Sequence, residues 1–317
     1  MIGARLSANA AAELKSLLGD RARFDEPLAR HISLGVGGPA DVLCTVGDPA
    51  GLAALLGLLA ARGVRRLMLG RGTNLIPSDR GFRGAVIRLD GAFTRVTVEG
   101  TALEAGAGAS LASLVERGLV HDLGGLEFTT GIPGCVGGSL PGNAGTAKDA
   151  LGACVERVDI LDDEGRPRSF GRGELVFAYR SSNLRALGGV ITGARFRLTP
   201  RPRAEVVAAV RTYTDKRRDQ PLTQPNVGCI FKNPPGDSAG RLIDAAGCKG
   251  ARTGGIEVSA KHANFMVNLG GATAAAVVEL IGHVRERVRA AGGVELTPEV
   301  VVLDEFGAPV RLEGALC

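Results

Sequence analysis

The chain has 317 residues, 45% of them hydrophobic, which is enough for about two domains with buried cores and excludes wholesale disorder. Aromatics make up only 4% and Trp is absent, so a base-stacking nucleic-acid platform is a poor fit. The formal net charge of +5 comes without any block of like charges; solvated Arg and Lys on helix faces explain it as well as a positive cleft for phosphate-bearing ligands does.

The opening stretch, MIGARLSANAAAELKSLLGD, breaks its apolar character with Arg5, Glu13 and Lys15, as an amphipathic helix does and a signal peptide does not. Asp48-Pro49 followed by AGLAALLGLLAARG predicts a helix capped by Asp48 and ended at Gly63. Residues 49–61 are the longest apolar run and fall short of the ~18–20 needed to cross a bilayer, so a cytoplasmic chain without membrane insertion is expected. A strand-like VRRLML (64–69) leads into GRGTNL and DRGFRGAVIRLD. Short strands continue through GAGASL, a helix over 109–117 and GLEFTTGIPGCVGG, with further strands at 155–161 and 189–198.

Residues 201–218, rich in Arg and Lys, predict a helix at the passage into a second domain. That domain is expected to hold a loop (219–237), a helix (238–246), strands near 255–268, a helix (273–291) opening at Thr273, and a final strand pair around 294–311. The class is mixed α+β, without solenoid repeats, divided near residue 200 into 1–200 and 201–317.

The six cysteines, Cys44, Cys135, Cys154, Cys229, Cys248 and Cys317, form no C-x-x-C pair, and no His stands at zinc-ligand spacing from them. No metal site is expected, and most of these thiols read as small buried hydrophobes. LGRGTNL begins like a dinucleotide fingerprint, but Leu75 takes its last Gly position and Pro77 follows where a helix should start. GAGASL (106–111) lacks the last Gly as well, and no Gly-Lys-Ser/Thr triplet exists for a P-loop. Successive amides in glycine turns still make anion nests, and two loops, 70–74 and 131–138, suit the two phosphates of a dinucleotide. An ordinary tight turn explains either loop alone.

Several longer blocks then acquire a common meaning. SLGVGGPADVL (33–43), LGRGTNLIPSDRGFRGAVI (69–87), GLEFTTGIPGCVGG (125–138), FAYRSSNL (177–184), GCIFKNPPGDSAGRLIDAAGCKG (228–250), KHANFMVN (261–268) and ELTPEVVVL (295–303) together resemble the UDP-N-acetylenolpyruvoylglucosamine reductase family, in its order and at its spacings. The resemblance covers about residues 25–303 and implies an FAD-binding fold of the vanillyl-alcohol-oxidase (PCMH) type. In it, residues 1–200 form the flavin region, with two α+β subdomains, and 201–317 a smaller α+β substrate domain. It implies non-covalent FAD, since relatives that tether the flavin through this loop carry His where this chain has Asn74. NADPH is the implied co-substrate. The residues implied for FAD are Gly70, Arg71, Gly72, Thr73, Asn74 and Leu75 in one loop, Gly131, Ile132, Pro133, Gly134, Gly137 and Gly138 in the other, and Asn143 and Gly145 beyond. Tyr-Arg-Ser-Ser (179–182), with no inserted tyrosine loop after it, resembles the shorter of the family's two types. Arg71, in place of a usual Gly, and the segment 139–149 depart from the pattern.

The implied reaction reduces an enolpyruvyl ether to complete UDP-N-acetylmuramate for peptidoglycan. It needs a hydride at one carbon and a proton at its neighbour. The family's proton donor is most often Ser; here that position is Cys229. A free thiol near pKa ~8.5 stays mostly protonated at neutral pH and is a competent acid. Arg180 and Glu299 match the other two catalytic positions, where an Arg holds the developing enolate charge. Taken alone, Arg180 reads as a surface ion-pair residue, Glu299 as a strand-edge charge and Cys229 as core packing. Lys232, Asn233, Arg217 and Arg218 are candidates for the substrate diphosphate, with Lys216 beside them, and Lys261 and His262 are placed nearby. The basic trio at 216–218 also fits a solvated helix end, and His262 a structural role.

GDSAG (236–240) satisfies the nucleophile-elbow pattern of a serine hydrolase using Ser238. An elbow needs a preceding strand, and Asn233-Pro234-Pro235 stands there instead, so Asp237 or Ser238 reads better as a helix cap. The remaining alternatives are a related flavin-dependent oxidoreductase of another sugar or hydroxy acid, and an inactive nucleotide-binding homologue. A monomer without a nucleic-acid partner is expected.

Overall fold

The computed structural model describes residues 5–146 and 148–310; Cys317 and the end of the expected 294–311 strand pair lie outside the described residues. The helix Pro49–Ala61 forms as the sequence predicts, with Asp48 accepting from the Gly51 N–H at 2.9 Å. Leu52, Leu55, Leu56 and Leu59 recur at the helical period and are fully buried. They pack on one face of a four-stranded sheet, ordered Ala22–Pro27, Pro39–Val46, Phe82–Leu89, Arg66–Met68. Pro39–Val46, Phe82–Leu89 and Arg66–Met68 run parallel, and Ala22–Pro27 is antiparallel to its neighbour.

A second sheet is antiparallel throughout, in the order Pro167–Gly171, Val155–Leu161, Val190–Arg197, Ala102–Gly106, Val96–Glu99. Its core also takes in the helix Leu111–Val120, capped by Ser110. The basic helix expected at 201–218 spans Arg203–Lys216.

The third sheet corrects one expectation. Residues 226–229, read from sequence as loop, form an edge strand, Asn226–Cys229, antiparallel to Phe265–Asn268; Ile256–Val258 and Arg252–Thr253 complete the sheet. The strand is short and its register shifts between Asn226 and Cys229, so it shows no alternation to read. The last strand differs too. Val301–Leu303 pairs in parallel with Leu75–Pro77 from the N-terminal half; only an isolated bridge joins Leu303 to Pro309. A non-local partner of this kind leaves no turn signal in sequence.

One apolar cluster consequently spans both halves: Leu43, Ile76 and Val86 share it with Phe231, Val284 and Val302. The helix Ala274–Gly292 is capped by Thr273, as expected, and also from the distant Asp79. The Asp79 carboxylate accepts from the Ala274 N–H at 2.7 Å and the Ala275 N–H at 2.9 Å, satisfying two amides that the helix itself cannot. No helix among the described residues is long and apolar enough to cross a membrane.

Asp79→Ala is expected to lower the unfolding free energy by about 1 kcal/mol, the usual worth of a cap. Urea denaturation followed by far-UV circular dichroism reads this directly; an unchanged midpoint would show that the Asp79 link is idle.

Candidate active site

Phe177–Ala178 and Ser181–Ser182 pair as a minimal hairpin, leaving Tyr179 and Arg180 to make the turn. Arg180 is left-handed at φ 51°, a costly conformation for a side chain of this kind, so the surroundings must hold it. Asn143 Nδ2 donates to the Ala178 carbonyl at 2.9 Å, Arg180 Nη2 donates to the Gly145 carbonyl at 3.0 Å, and Ser182 Oγ donates to the Pro141 carbonyl at 3.0 Å. Asn143 and Gly145 therefore brace the turn from behind. Asn143 Oδ1 is engaged as well, by the Gly152 N–H at 2.8 Å.

Arg180 Nε donates to Glu299 Oε1 at 2.6 Å, and the two side chains are only 19% and 20% exposed. Glu299 is positioned by its backbone. Its N–H donates to the Ile230 carbonyl at 2.7 Å, and its carbonyl accepts from Asn74 Nδ2 at 3.2 Å. The Val301 N–H returns a bond to the Asn74 carbonyl at 3.1 Å. The first glycine loop and Glu299 are thus clipped together just before the parallel strands begin.

Cys229 ends the edge strand, one residue before Ile230. Part of its surface still meets solvent, yet protein surrounds the thiol on most sides. Burial pushes the thiol up to about 12, the Glu299 charge pushes the same way, and Arg180 and Arg217 oppose them. Glu299 is also raised: burial outweighs the pull of Arg180 and Lys232. Burial, with Arg180 adding to it, lowers Arg217, while Cys229 acts in the opposite direction. Arg217 lies along the second glycine loop, its Cδ 2.6 Å from where a Cβ on Gly131 would stand. Only Gly leaves that room. Residues 131, 180, 217, 229, 232 and 299 therefore stand close to one another.

Other candidates stand apart from this cluster. Arg218 Nη2 pairs with Asp215 at 2.6 Å and its side chain is 77% exposed, while Lys216 lies 5.0 Å from the Tyr213 ring. Of the basic trio, only Arg217 is drawn inward. His262 packs edge-on to Phe265 at 4.9 Å, its Nδ1 accepts from the Asn264 N–H at 3.3 Å, and burial holds it below its ordinary value. Lys261 is exposed. Asn233 Oδ1 accepts from the Ala239 N–H at 3.0 Å, and the Asn233 N–H donates to Tyr179 Oη at 3.2 Å. Tyr179, which the sequence reading left out, therefore joins the Asn233 segment to the Arg180 turn, with the guanidinium 5.2 Å from its ring. Its adjacency to Arg180 was the only available signal. Ser238 caps the helix Ala239–Ala245, its Oγ accepting from the Arg241 N–H at 3.2 Å, and no strand immediately precedes it to make a nucleophile elbow.

The two glycine loops differ in what they offer a dinucleotide. The amide N–H groups of residues 70–74 donate to no acceptor among the described residues, and the loop is anchored instead through the Gly72 carbonyl, which accepts from the Ser33 N–H at 2.9 Å. In the second loop the N–H groups of Ile132, Gly134, Val136 and Gly137 are spent on Thr129, Ile132, Ala109 and Ala107. Beside it, Thr130 Oγ1 is buried without a partner. Free amides in a row and an orphaned hydroxyl fit a diphosphate-bearing flavin.

Residues 40–171 match the family described as FAD binding domain. Fold and site thus define an FAD-binding flavoprotein of the α+β class. Residues 220–303 match the family described as UDP-N-acetylenolpyruvoylglucosamine reductase, C-terminal domain. UDP-N-acetylenolpyruvoylglucosamine reductase 2 of Symbiobacterium thermophilum is 44% identical over 92% of this chain and 96% of its own, and the reductase of Heliobacterium modesticaldum is 42% identical over 90% and 91%. The crystal structure of UDP-N-acetylenolpyruvylglucosamine reductase from Thermus caldophilus superposes with a TM-score of 0.77 at 38% identity, covering 89% of this chain and 97% of that one. The chain belongs to the UDP-N-acetylenolpyruvoylglucosamine reductase family.

With its thiol at about 12, Cys229 is expected to react with iodoacetamide at pH 8 at least ~100-fold more slowly than a free cysteine. Its rate should rise about tenfold per pH unit from pH 8 to about pH 11, as the thiolate fraction does. Peptide mass spectrometry resolves this thiol from the others; a plateau between pH 8 and 9 would contradict the buried-acid description.

Proposed function

We propose that this chain reduces UDP-N-acetylglucosamine enolpyruvate to UDP-N-acetylmuramate, a step of peptidoglycan precursor synthesis, using FAD and NADPH. The observation that carries the reading is the convergence of Arg180, Cys229 and Glu299 from three separate segments. Bound at these loops, FAD would supply the hydride chemistry, with NADPH as the source of the reducing equivalents and the substrate's vinyl carbon as their destination.

The chain's own residues do the rest. Cys229 is held protonated at neutral pH and donates a proton to the carbon next to the one that receives hydride. The thiolate left behind faces Arg180 and Arg217, whose charges stabilise it. Arg180, fixed by Gly145 and Glu299, also offers charge to the enolate oxygen as negative charge builds there. Glu299 acts with Arg180 at that oxygen, and burial pushes its carboxyl upward. Arg217 and Lys232 are the cations placed to meet the substrate's diphosphate, and Tyr179 and Asn233 form the adjoining wall. Asn74 binds the Glu299 backbone and carries no imidazole for a covalent flavin link. A soluble nucleotide-sugar substrate and NADPH suit a cytoplasmic enzyme, and a site built from one chain suits a monomer without a nucleic-acid partner.

The test separates the two half-reactions under anaerobic stopped flow. Cys229→Ala is expected to leave flavin reduction by NADPH within about twofold of the parent and to slow substrate-driven flavin reoxidation by about 10²-fold or more, the range of a lost general acid. Cys229→Ser should recover much of the loss. Equal slowing of both halves removes Cys229 from the acid role, and reduced flavin that the enolpyruvyl substrate never reoxidises discards the substrate assignment.

A further inference from the structure

Beneath the first glycine loop lies a chain of three polar side chains that the proton-donor cluster does not use. Glu26 Oε1 stands 2.7 Å from His31 Nε2, and His31 Nδ1 stands 3.1 Å from Arg88 Nη2. A guanidinium carries only N–H donors, so Nδ1 must be the acceptor. Nε2 then carries the proton that His31 donates to Glu26. Arg88 donates to His31 and His31 donates to Glu26, all in one direction. The side chains of His31 and Glu26 are only 9% and 10% exposed, so this end of the chain is fixed.

The other end lies where the cofactor loops meet. Arg88 falls near the C-terminal end of Phe82–Leu89, whose Ile87 is level with Met68 of the parallel strand Arg66–Met68. The Leu69 N–H donates to the Ile87 carbonyl at 2.8 Å, which puts Arg88 beside the first residues of the 70–74 loop. Strand alternation sends it to the face that carries Phe82 and Val86, the face turned toward the core shared by both halves. The His31 carbonyl closes on Gly72 so tightly that a Cβ there would collide with it, and Cys135 Sγ of the second loop lies 2.7 Å from where a Cβ on Gly70 would be.

Among the described residues, the one side-chain hydrogen bond of Arg88 is to this imidazole. The guanidinium is half-buried, and burial, with the Arg23 charge adding to it, holds it below its ordinary value. Asp90, Cys135 and Glu26 pull the other way and offset part of that cost, and the guanidinium keeps N–H donors free for a further anion. The same loop presents the free amides of residues 70–74.

We propose that Arg88, aimed by His31 and Glu26, contacts the diphosphate of FAD; the proposal rests on the flavoprotein reading above. In this arrangement Glu26 and His31 are positioning residues, and Arg88 supplies the positive charge that the loop amides lack.

The test is FAD affinity of the apoprotein, read by flavin fluorescence, beside the thermal midpoint of the same apoprotein. Arg88→Gln is expected to weaken FAD by about tenfold to a hundredfold, the worth of one hydrogen bond to a charged group. Arg88→Lys should retain part of that, and Glu26→Gln should give a smaller loss, with apoprotein midpoints close to the parent. Unchanged FAD affinity in Arg88→Gln overturns the proposal, including the case in which only the thermal midpoint falls. Should that variant fail to fold, the unaltered protein crystallised with FAD decides. A guanidinium within about 3.2 Å of a phosphate oxygen supports the proposal, and one turned away overturns it. Failure of the parent protein to bind FAD at all would sink the flavoprotein reading itself, a result distinct from equal binding by parent and variant.

Discussion

The parallel pairing of Val301–Leu303 with Leu75–Pro77 is the constraint on which the site depends. It brings together residues more than two hundred positions apart, and closing a loop of that length costs about 5 kcal/mol in chain entropy. A ladder this short, at about 1 kcal/mol per hydrogen bond, does not offset that. The apolar cluster around it does. Ile76 and Val302 are buried within one core with Leu69, Phe231 and Val300, and each such side chain contributes about 1.5–3 kcal/mol. Packing holds the strands in register, and the register then sets Glu299 over Asn74.

Once Glu299 is placed, burial decides the electrostatics. A carboxylate 2.6 Å from a guanidinium would ordinarily be held low, yet desolvation prevails and Glu299 is raised. The same desolvation keeps Cys229 a thiol. Both groups are thereby biased toward the protonated form that a proton-delivering site requires. Arg180 lies beside them, and its left-handed backbone is the local cost of aiming it inward.

The sequence revealed those elements whose signals are local. Asp48, Ser238 and Thr273 each announced a helix start and each caps one. The two strands that matter most to the site were the hardest to read. Asn226–Cys229 is an edge strand with a register shift, and Val301–Leu303 has its partner in the other half of the chain. Individually, Arg180, Cys229 and Glu299 carried bland explanations, and only the resemblance of the longer blocks around them to a known family pointed to chemistry. Arg217 could not be told from Lys216 and Arg218 in sequence. What distinguishes it is the space left by Gly131, a property of a loop many residues away. Tyr179 and Arg88 were invisible for the same reason, since their meaning comes from partners that the fold brings to them.

The glycine loops show how similar composition can serve opposite purposes. In residues 70–74 the amides remain available, and glycine at position 72 lets the backbone press against the His31 carbonyl while they do so. In residues 131–138 the amides of Ile132 and Gly134 are consumed within the turn and those of Val136 and Gly137 on the Ala109 and Ala107 carbonyls, so this loop is principally a scaffold. Its Gly131 gives up volume instead, admitting Arg217, while Gly70 of the first loop does the same for Cys135. A nest for anions and a slot for a cation thus meet at the same junction. In the proposed reaction the nest faces the cofactor's charge, and the slot brings a guanidinium toward the Cys229 thiol. Hydride and proton have to reach adjacent carbons of one substrate, so a junction that sets both distances at once is the geometry the reaction needs.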